Sequence, residues 1–442
     1  MAPVATLETK KETTNGTTKS HTPEKVFNPF YSPPATDEND NSYQFAQYKP
    51  HFPDVKWEPL GEVKVVERGL FADPEKKALL AAATKVQHLT PAIGTEISGI
   101  DLRQLSPAQK DELALLVAER GVVCKFPLAF VTITSLDFYE LVFRDQDISI
   151  RELLEFHRHY GPLHKHATTG IPREPGLEEV HVVYNDASRR PDPSAFSKIE
   201  LWHSDVTYEI QPPSTTSLKV IEGPPYGGDT LWSSGYALYS SFSPHFQKYL
   251  ESLYAVHSAV AQADGAREAG HPVRREPVET IHPVVRVHPA TGWKSVYVNP
   301  GELHVPQKAL YSHTGLTAFL PIGFVRRIVG VPKAESDAIL NLLFHQISEN
   351  PDFQVRFHWE RNSIAIWDNR VTTHSATFDF FPHTRHALRA TPHGERPISV
   401  AEYEKSGKVA KDRQLDIWKQ QGIAAPDTSN QGAGSKPRGY ND

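Results

Sequence analysis

The chain has 442 residues and a formal net charge of -6, which is enough sequence for one large domain or two ordinary ones. The negative charge argues against nucleic acid or anionic lipid as the main partner. A single cysteine, Cys124, excludes an intrachain disulfide and fits a reducing compartment. The N-terminus lacks the apolar region of a signal peptide, and the sequence contains no apolar run long enough to span a membrane. We therefore expect a cytoplasmic protein.

The N-terminal part of the chain is predicted to be helical after a disordered start. Residues 1–40 are polar and proline-rich, and we interpret them as a disordered tail. Capping residues, prolines and glycines then mark helix ends. The predicted helices cover about residues 73–84, residues 106–121 beginning at Ser106-Pro107, and residues 149–161 beginning at Ser149.

The middle of the chain alternates between strands and one helix. We predict strands over Leu201 to Tyr208 and Ser217 to Ile221 from their β-forming residues. A helix is predicted from Ser243-Pro244 to about His257. Residues 282–299 indicate a hairpin that turns at Ala290-Thr291-Gly292.

The C-terminal part completes the pattern. We predict a helix over residues 333–348, strands over 353–360 and 363–368, and a flexible tail over 412–442. Thirty-six prolines and 26 glycines add many turns. Short strands with helical excursions predict one mainly β domain over residues 41–411, with flanking helices and a double-stranded β-helix (jelly roll) core.

One pair of residues has the spacing of a metal site. His203 and Asp205 lie two residues apart in a predicted strand, so their side chains share one face. Two histidines and one carboxylate leave three coordination positions open, as in non-haem Fe(II) oxygenases. The pair alone is weak, because about one His-x-Asp is expected by chance in a chain with 22 histidines.

Two His-x-Glu pairs compete with this assignment. His358 and Glu360 lie on the polar side of an amphipathic strand, where a solvated face explains them. His393 and Glu395 lie among turn residues near prolines. We therefore favour neither pair as a metal site.

Several other motifs support His203 and Asp205. They are Gly227-Gly228-Asp229-Thr230-Leu231-Trp232, Ile366-Trp367-Asp368-Asn369-Arg370, His374, Arg385 and Arg389. In these motifs the chain resembles the taurine/2-oxoglutarate dioxygenase family, and within it the fungal-type sulfonate dioxygenases, over about residues 60–397. The 27-residue step from His203 to Thr230 and the 11-residue step from His374 to Arg385 agree with taurine dioxygenase.

The resemblance implies a set of site residues. His203, Asp205 and His374 would bind Fe(II), and 2-oxoglutarate and O2 would be the co-substrates. Arg385 matches the family arginine for the far carboxylate of 2-oxoglutarate, and a planar charged fork suits that group. Thr230 matches the hydroxyl that donates to the same carboxylate.

The substrate side is also implied by the resemblance. His166 and Arg389 match the family residues that contact a sulfonate, and Phe324 matches a pocket aromatic. His166 has an alternative interpretation as a loop histidine whose hydrogen bonds are satisfied locally. Thr169 and Ile199 stand where taurine dioxygenase has a tyrosine and an asparagine, so a longer or more apolar sulfonate than taurine is an equally good candidate.

Two segments interrupt the family pattern. They cover about residues 124–141 and 302–323. Each is either a genuine surface loop or translated, unspliced intron sequence. The sequence leaves both alternatives open, and with them whether a protein that contains both segments is active.

The expected function is an Fe(II)/2-oxoglutarate-dependent dioxygenase acting on a small anionic organic substrate. It would hydroxylate the carbon that bears a sulfonate, giving aldehyde, sulfite, succinate and CO2. The same chemistry on an aryloxyalkanoate or an alkyl sulfate ester is an alternative, as is a non-catalytic jelly-roll binding protein. The sequence does not identify the anion, and it leaves a homo-oligomer open.

Overall fold

A computed structural model describes residues 42–125, 146–187, 199, 201–300 and 323–424. The helices are α1 (Lys77–Ala82), α2 (Pro107–Arg120), α3 (Ile150–Arg158), α4 (Gly235–Ser240), α5 (Pro244–Glu251), α6 (Val260–Glu268), α7 (Lys333–Glu349), α8 (Val400–Lys405) and α9 (Arg413–Gln420). The helices among the described residues are all too short or too polar to cross a membrane.

Strands outnumber helices in the described part of the chain. They are β1 (Pro50–His51), β2 (Lys85–His88), β3 (Thr95–Ser98), β4 (Val122–Lys125), β5 (Ile171–Pro172), β6 (His181–Asn185), β7 (Thr215–Glu222), β8 (Thr230–Ser234), β9 (Tyr254–Ser258), β10 (Glu279–Pro283), β11 (Val285–Val287), β12 (Lys294–Val296), β13 (Val325–Ile328), β14 (Gln354–Phe357), β15 (Ile364–Asp368), β16 (Thr372–Ala376) and β17 (Arg385–Ala390). The prediction of a mainly β fold with flanking helices is confirmed.

Two sheets face each other around the core. Seven strands form the main sheet in the order β2-β3-β4-β15-β7-β17-β6, and three form a second sheet in the order β14-β8-β16. Trp232 of β8 and Phe357 of β14 belong to the same buried cluster as Leu218 of β7 and Trp367 of β15. The inner faces of the two sheets therefore pack against each other.

Alternation along the main sheet separates this inner face from an outer, helix-covered face. Ile366 and Leu388 belong to a second buried cluster, which includes Leu116 of α2 and Leu153 of α3. Their chain neighbours Trp367 and Ala387 belong to the inner cluster instead. Successive side chains of a strand point to opposite faces, so α2 and α3 cover the outside of the main sheet.

Helix starts with a capping box are predicted well. Ser106 and Gln109 cap α2 reciprocally, and Ser149 and Glu152 cap α3 in the same way. The prediction for α7 is also confirmed, within one residue at its end.

Two other helix predictions are wrong at one end. α5 ends at Glu251 rather than near His257, because Tyr254–Ser258 forms β9 and pairs with both β10 and β13. α1 begins at Lys77 rather than at residue 73, after a turn in which Lys76 has a positive φ.

The predicted strand over residues 201–208 is wrong. The described residues there make only an isolated antiparallel bridge between His203 and His374, and the chain then turns. Val206 has a φ of 40°, which a strand does not allow. The predicted strand at 353–360 is shortened to Gln354–Phe357. The predicted hairpin turning at residues 290–292 is confirmed by the pairing of β11 with β12.

The predicted flexible C-terminal tail is wrong at its beginning. α9 (Arg413–Gln420) lies there, and the side chain of Asp412 accepts hydrogen bonds from the backbone of Gln414 and Leu415. Trp293 donates from its indole nitrogen to Asp416 at 2.8 Å, which fastens the helix to the domain. Residues 425–442 and the predicted N-terminal tail, residues 1–40, lie outside the described residues.

The first predicted insertion does not begin at Cys124. This residue lies in β4, opposite Ala365 of β15 and Glu96 of β3. The remainder of this segment, residues 126–141, and residues 302–322 of the second segment lie outside the described residues.

Candidate active site

Three predicted metal ligands converge between the two sheets. The ligand atoms of His203, Asp205 and His374 all lie within 4.8 Å of one another, and they are the one such cluster among the described residues. The Nε2 atoms of both histidines are 3.8 Å from the Oδ1 atom of Asp205. Two imidazoles and one carboxylate in this arrangement can occupy one face of an octahedral metal ion.

The backbone holds these three residues in place although His203 and Asp205 lie outside regular strands. His203 and His374 exchange backbone hydrogen bonds at 2.9 and 2.7 Å. The side-chain amide of Asn369 accepts from the backbone N–H of Asp205 at 2.7 Å and donates to its carbonyl at 2.9 Å. Ser204 donates to the carbonyl of Thr372 at 2.7 Å. These hydrogen bonds therefore hold residues 203–205 against β16 and the turn between β15 and β16.

Hydrogen bonding and burial prepare the two imidazoles for a metal. The Nδ1 atom of His203 lies 3.0 Å from the carbonyl oxygen of Leu201, so Nδ1 donates and the Nε2 lone pair faces Asp205. Neither ring nitrogen of His374 has a hydrogen-bond partner among the described residues. Burial lowers the pKa of both imidazoles, and the neutral form is the one that binds a metal. The donor set fits Fe(II).

Arg385 lines the same cavity as the triad and is buried. Its Nε atom donates to the carbonyl of Gly228 at 2.9 Å, whereas Nη2 has no hydrogen-bond partner among the described residues. Burial, followed by repulsion from Arg389, lowers the pKa of Arg385 to about 10, so the guanidinium stays charged near neutral pH. A buried charge without a counter-ion is costly, and a bound carboxylate removes that cost.

Thr230 also lines the cavity, and Trp359 orients it. The Oγ1 atom of Thr230 accepts a hydrogen bond from the indole nitrogen of Trp359 at 2.8 Å, so the hydroxyl proton of Thr230 is free to be donated elsewhere. The guanidinium of Arg385 lies 5.9 Å from the ring centroid of Trp359. Trp359 therefore contacts both predicted co-substrate residues.

His166 has a defined donor direction in the cavity. The backbone N–H groups of Thr168 and Thr169 donate to its Nδ1 atom at 3.2 and 3.3 Å. Nδ1 is therefore the acceptor, and the proton sits on Nε2. Nε2 has no acceptor among the described residues, so the alternative of a fully satisfied loop histidine is not supported.

Arg389 and Phe324 complete the predicted substrate side. Arg389 forms an ion pair with Asp205 through Nη1, and its Nε atom has no partner among the described residues. Phe324 is buried in the cavity wall and packs edge-on against Tyr208, with 4.9 Å between the ring centroids. Arg389 thus contacts a proposed metal ligand and lines the cavity in which an anion could bind.

All eight site residues predicted from the sequence line this one cavity, and their individual roles stay predictions. The two competing pairs do not converge in this way. His358 is half-exposed and pairs with Asp229 at 2.7 Å, and Glu395 forms ion pairs with Arg286 and Arg370.

Sequence reasoning did not identify His181, Asn185 and Trp359 as site residues. His181 and Asn185 line the cavity from β6, and Trp359 donates a hydrogen bond to Thr230. The alternation of residues 353–360 indicated that Trp359 is buried, but strand pairing alone places His181 and Asn185 opposite the two arginines.

Comparison with known proteins identifies the family. The model described as "Taurine catabolism dioxygenase TauD, TfdA family" matches residues 136–391, and the match begins within the first predicted insertion. A Schizosaccharomyces pombe protein is 38% identical over 357 residues, which cover 80% of this chain and 81% of that protein. A Saccharomyces cerevisiae protein is 36% identical over 373 residues, which cover 79% of each chain. Both are named alpha-ketoglutarate-dependent sulfonate dioxygenase, the first provisionally.

Solved structures agree with this family. The crystal structure of a taurine dioxygenase from Burkholderia xenovorans matches with a TM-score of 0.53 at 28% identity, over 72% of this chain and 93% of that one. The triad geometry, the family match and the two yeast relatives point to the same chemistry. The chain belongs to the TauD/TfdA family, and it is an Fe(II)- and 2-oxoglutarate-dependent dioxygenase that uses O2.

Proposed function

We propose that this dioxygenase hydroxylates the carbon atom that bears the sulfonate group of a small organic anion. Hydroxylation consumes 2-oxoglutarate and O2 and yields succinate and CO2, and the resulting 1-hydroxysulfonate separates into an aldehyde and sulfite. The observation that carries the proposal is the pair of donors beside the triad: the Nε2–H of His166 and the guanidinium of Arg389 both reach the cavity that holds the proposed metal ligands.

The proposed roles follow from the contacts of each residue. His203, Asp205 and His374 hold Fe(II), because their ligand atoms converge and the ring nitrogens of His374 have no hydrogen-bond partner among the described residues. When bound, iron, 2-oxoglutarate and O2 supply the oxidation of an unactivated C–H bond. The protein contributes binding, orientation and exclusion of water.

Arg385 and Thr230 bind the far carboxylate of 2-oxoglutarate. The unpartnered Nη2 atom of Arg385 and the hydroxyl proton of Thr230 are the donors left over after their protein hydrogen bonds are counted. Two donors from one side fix the position of that carboxylate and leave the opposite end of the molecule toward the triad.

The cavity wall favours a sulfonate with an apolar carbon chain. Phe324, Phe378, Phe380 and Val183 line it, and Asp205 is its one carboxylate within the described residues. Asp205 is already engaged by Arg389 and by the proposed metal, so no carboxylate is left for an ammonium group. We therefore propose alkanesulfonates ahead of taurine.

The enclosing architecture is proposed to be a jelly roll. The seven-stranded and three-stranded sheets face each other, and residues of β6, β8, β16 and β17 line the site. This arrangement lets side chains from opposing strands meet in a cavity that is shielded from water.

An alkyl sulfate ester is the second candidate, because it presents the same group of three terminal oxygens to His166 and Arg389. The two candidates differ in their sulfur product. Oxidation of a sulfonate releases sulfite, whereas oxidation of a sulfate ester at the carbon next to oxygen releases sulfate.

A product screen tests the proposal. Purified enzyme with Fe(II), 2-oxoglutarate and O2 is incubated with alkanesulfonates of two to eight carbons, taurine, butyl sulfate and an aryloxyacetate, and succinate, sulfite and sulfate are measured. We expect sulfite matched one-to-one by succinate with an alkanesulfonate. If only the aryloxyacetate gives succinate, and no compound releases sulfite or sulfate, the proposed substrate class is wrong.

A further inference from the structure

The inner face of β6 carries three side chains that point toward the cavity. Val182 and Tyr184 belong to the outer, helix-covered cluster, whereas Val183 packs against the inner cluster. Because side chains alternate along a strand, His181 and Asn185 share the inner face with Val183. All three residues line the cavity that contains the triad.

Strand pairing places this row opposite the two site arginines. β6 and β17 are antiparallel, with His181 opposite Arg389 and Asn185 opposite Arg385. Side chains of directly opposed residues lie on the same side of the sheet, within reach of each other. His181 therefore stands beside the proposed sulfonate arginine, and Asn185 beside the proposed 2-oxoglutarate arginine.

His181 also lies beside the other proposed sulfonate contact. The ring centroids of His181 and His166 are 5.2 Å apart, with their planes tilted by 51°. His166, His181 and Arg389 therefore surround one corner of the cavity from three elements: a loop, β6 and β17.

The imidazole of His181 has an unused donor. No hydrogen bond joins its ring to any other described residue, although the residue is partly buried in the cavity wall. Burial, followed by the charge of Arg389, holds the pKa of His181 well below its usual range, so the ring is neutral and carries one N–H. A neutral imidazole beside an arginine can donate a hydrogen bond to the anion that the arginine binds, without adding a second buried charge.

We propose that His181 is a specificity-determining residue that donates a hydrogen bond to the third oxygen of the substrate's sulfonate or sulfate group. His166 and Arg389 serve the other two oxygens, so the corner has one donor group for each oxygen of a tetrahedral −SO3⁻ head. A carboxylate has only two oxygens and leaves one donor unused. The inference rests on the proposed function and explains how the site separates sulfur oxyanions from carboxylates.

The test compares binding of matched anions to wild type and to His181→Phe, which keeps an aromatic ring of similar size but removes the N–H. Each enzyme is loaded with Fe(II) and 2-oxoglutarate without O2 and titrated calorimetrically with butanesulfonate, butyl sulfate and pentanoate. A hydrogen bond to a charged group predicts that the affinity for butanesulfonate and butyl sulfate falls about ten- to a hundredfold. Affinity for pentanoate is expected to change less than about threefold. Its carboxylate has two oxygens, which His166 and Arg389 serve, so it needs no hydrogen bond from His181.

Two further variants separate donation from simple loss of a buried imidazole. His157→Phe removes a fully buried histidine from α3, and its preference among the three anions is expected to match wild type. His181→Gln restores a side-chain N–H and is expected to recover part of the preference for butanesulfonate over pentanoate. Equal losses for all three anions in His181→Phe, or no recovery in His181→Gln, would overturn the inference.

Failure of the inference is distinguishable from failure of the proposed function. If wild type binds neither butanesulfonate nor butyl sulfate more tightly than pentanoate and releases no sulfite or sulfate, the proposed function is wrong. If wild type shows the preference and His181→Phe keeps it, the proposed function stands and the role of His181 is wrong.

Discussion

His203 and His374 are tied to each other through their backbones: the N–H of His203 donates to the carbonyl of His374 at 2.9 Å, and the N–H of His374 donates back at 2.7 Å. This bridge brings two imidazoles from distant parts of the sequence to within 4.3 Å of each other, measured between ring centroids. Both rings then face Asp205. The proposed iron site is therefore built on paired main chain rather than on side-chain contacts alone.

Loss of any one of these three residues is expected to abolish turnover. Loss of a supporting partner typically weakens metal binding about 10- to 100-fold, and loss of a ligand itself is expected to cost more than about a hundredfold. The measurement is Fe(II) titration together with succinate formation for His203→Ala, Asp205→Ala and His374→Ala. His245→Ala, at an exposed position on α5, is the control and should behave as wild type. Near-normal product formation by a triad variant would refute the assignment and direct attention to His358 and Glu360.

The two cavity arginines are expected to affect different ligands. Removing one partner of a buried charged contact costs about 2–5 kcal/mol, so Arg385→Ala should raise the KM for 2-oxoglutarate tens- to thousandsfold. Arg389→Ala should act mainly on the sulfonate, with an added loss of Fe(II) affinity because Arg389 also pairs with Asp205. Initial rates with each ligand varied in turn measure both effects. Identical profiles for the two variants would show that the division of roles is wrong.

Trp359 is expected to position the co-substrate through Thr230. Trp359→Phe keeps a buried ring and removes the 2.8 Å hydrogen bond to Thr230. Loss of such a bond costs about 0.5–1.5 kcal/mol, so the KM for 2-oxoglutarate should rise about two- to tenfold while the KM for the sulfonate stays constant. Trp293→Phe removes a bond of the same length to Asp416, away from the cavity, and should leave both KM values unchanged. A rise in both KM values for Trp359→Phe would indicate general disturbance instead.

The buried pair of Asp368 and Arg370 is expected to make stability depend on pH. Burial alone raises the pKa of Asp368, but the charge and hydrogen bonds of Arg370 hold it well below its usual range. A carboxyl group whose pKa is lowered by folding stabilises the fold in full above its pKa in the unfolded chain, about 3.9. This stabilisation is lost as the pH falls from about 3.9 toward the pKa in the folded protein.

Asp368→Asn removes one of three carboxylates that pair with Arg370, and those of Glu67 and Glu395 remain. Loss of the charged hydrogen bonds is expected to cost about 1.5–3 kcal/mol of unfolding free energy at pH 7. Urea unfolding at pH 7 and at pH values below 4 measures the unfolding free energy of both proteins. The difference in unfolding free energy between wild type and Asp368→Asn should become smaller in acid. Asp264→Asn, which breaks a half-exposed pair with Arg267, should cost less than about 1 kcal/mol at either pH. A difference that is constant with pH would contradict the linkage.

The second predicted insertion is expected to be dispensable for the fold. The backbone N–H of Phe324 donates to the side chain of Asn299 at 3.4 Å, so the chain ends that border residues 302–322 lie side by side. A short linker can therefore replace the segment at little cost in loop closure. A protein with residues 302–322 replaced by such a linker should unfold at a similar urea concentration and form succinate. A folded but inactive product would show that the segment belongs to the enzyme, and abundant tryptic peptides from it in the native protein would refute the intron alternative.

Local signals in the sequence were sufficient for part of the fold. Ser106 and Ser149 each precede a helix-forming run with a glutamine or glutamate three residues later, and both helices begin where these capping boxes indicate. His203, Asp205, His374, Thr230 and Arg385 could be singled out because their spacing along the chain matches a family pattern. Such features depend on residues near each other in sequence or on intervals that can be counted.

Other features depended on partners that only the tertiary structure supplies. The segment after residue 200 has strand-forming residues, yet it turns after a single bridge at His203, because no other described strand pairs with residues 204–208. Tyr254–Ser258 leaves the predicted helix because β10 and β13 pair with it. The sequence by itself was enough to single out the residues that we propose to hold iron and 2-oxoglutarate. Strand register decided that His181 faces Arg389, because cross-strand neighbours have no fixed separation along the chain.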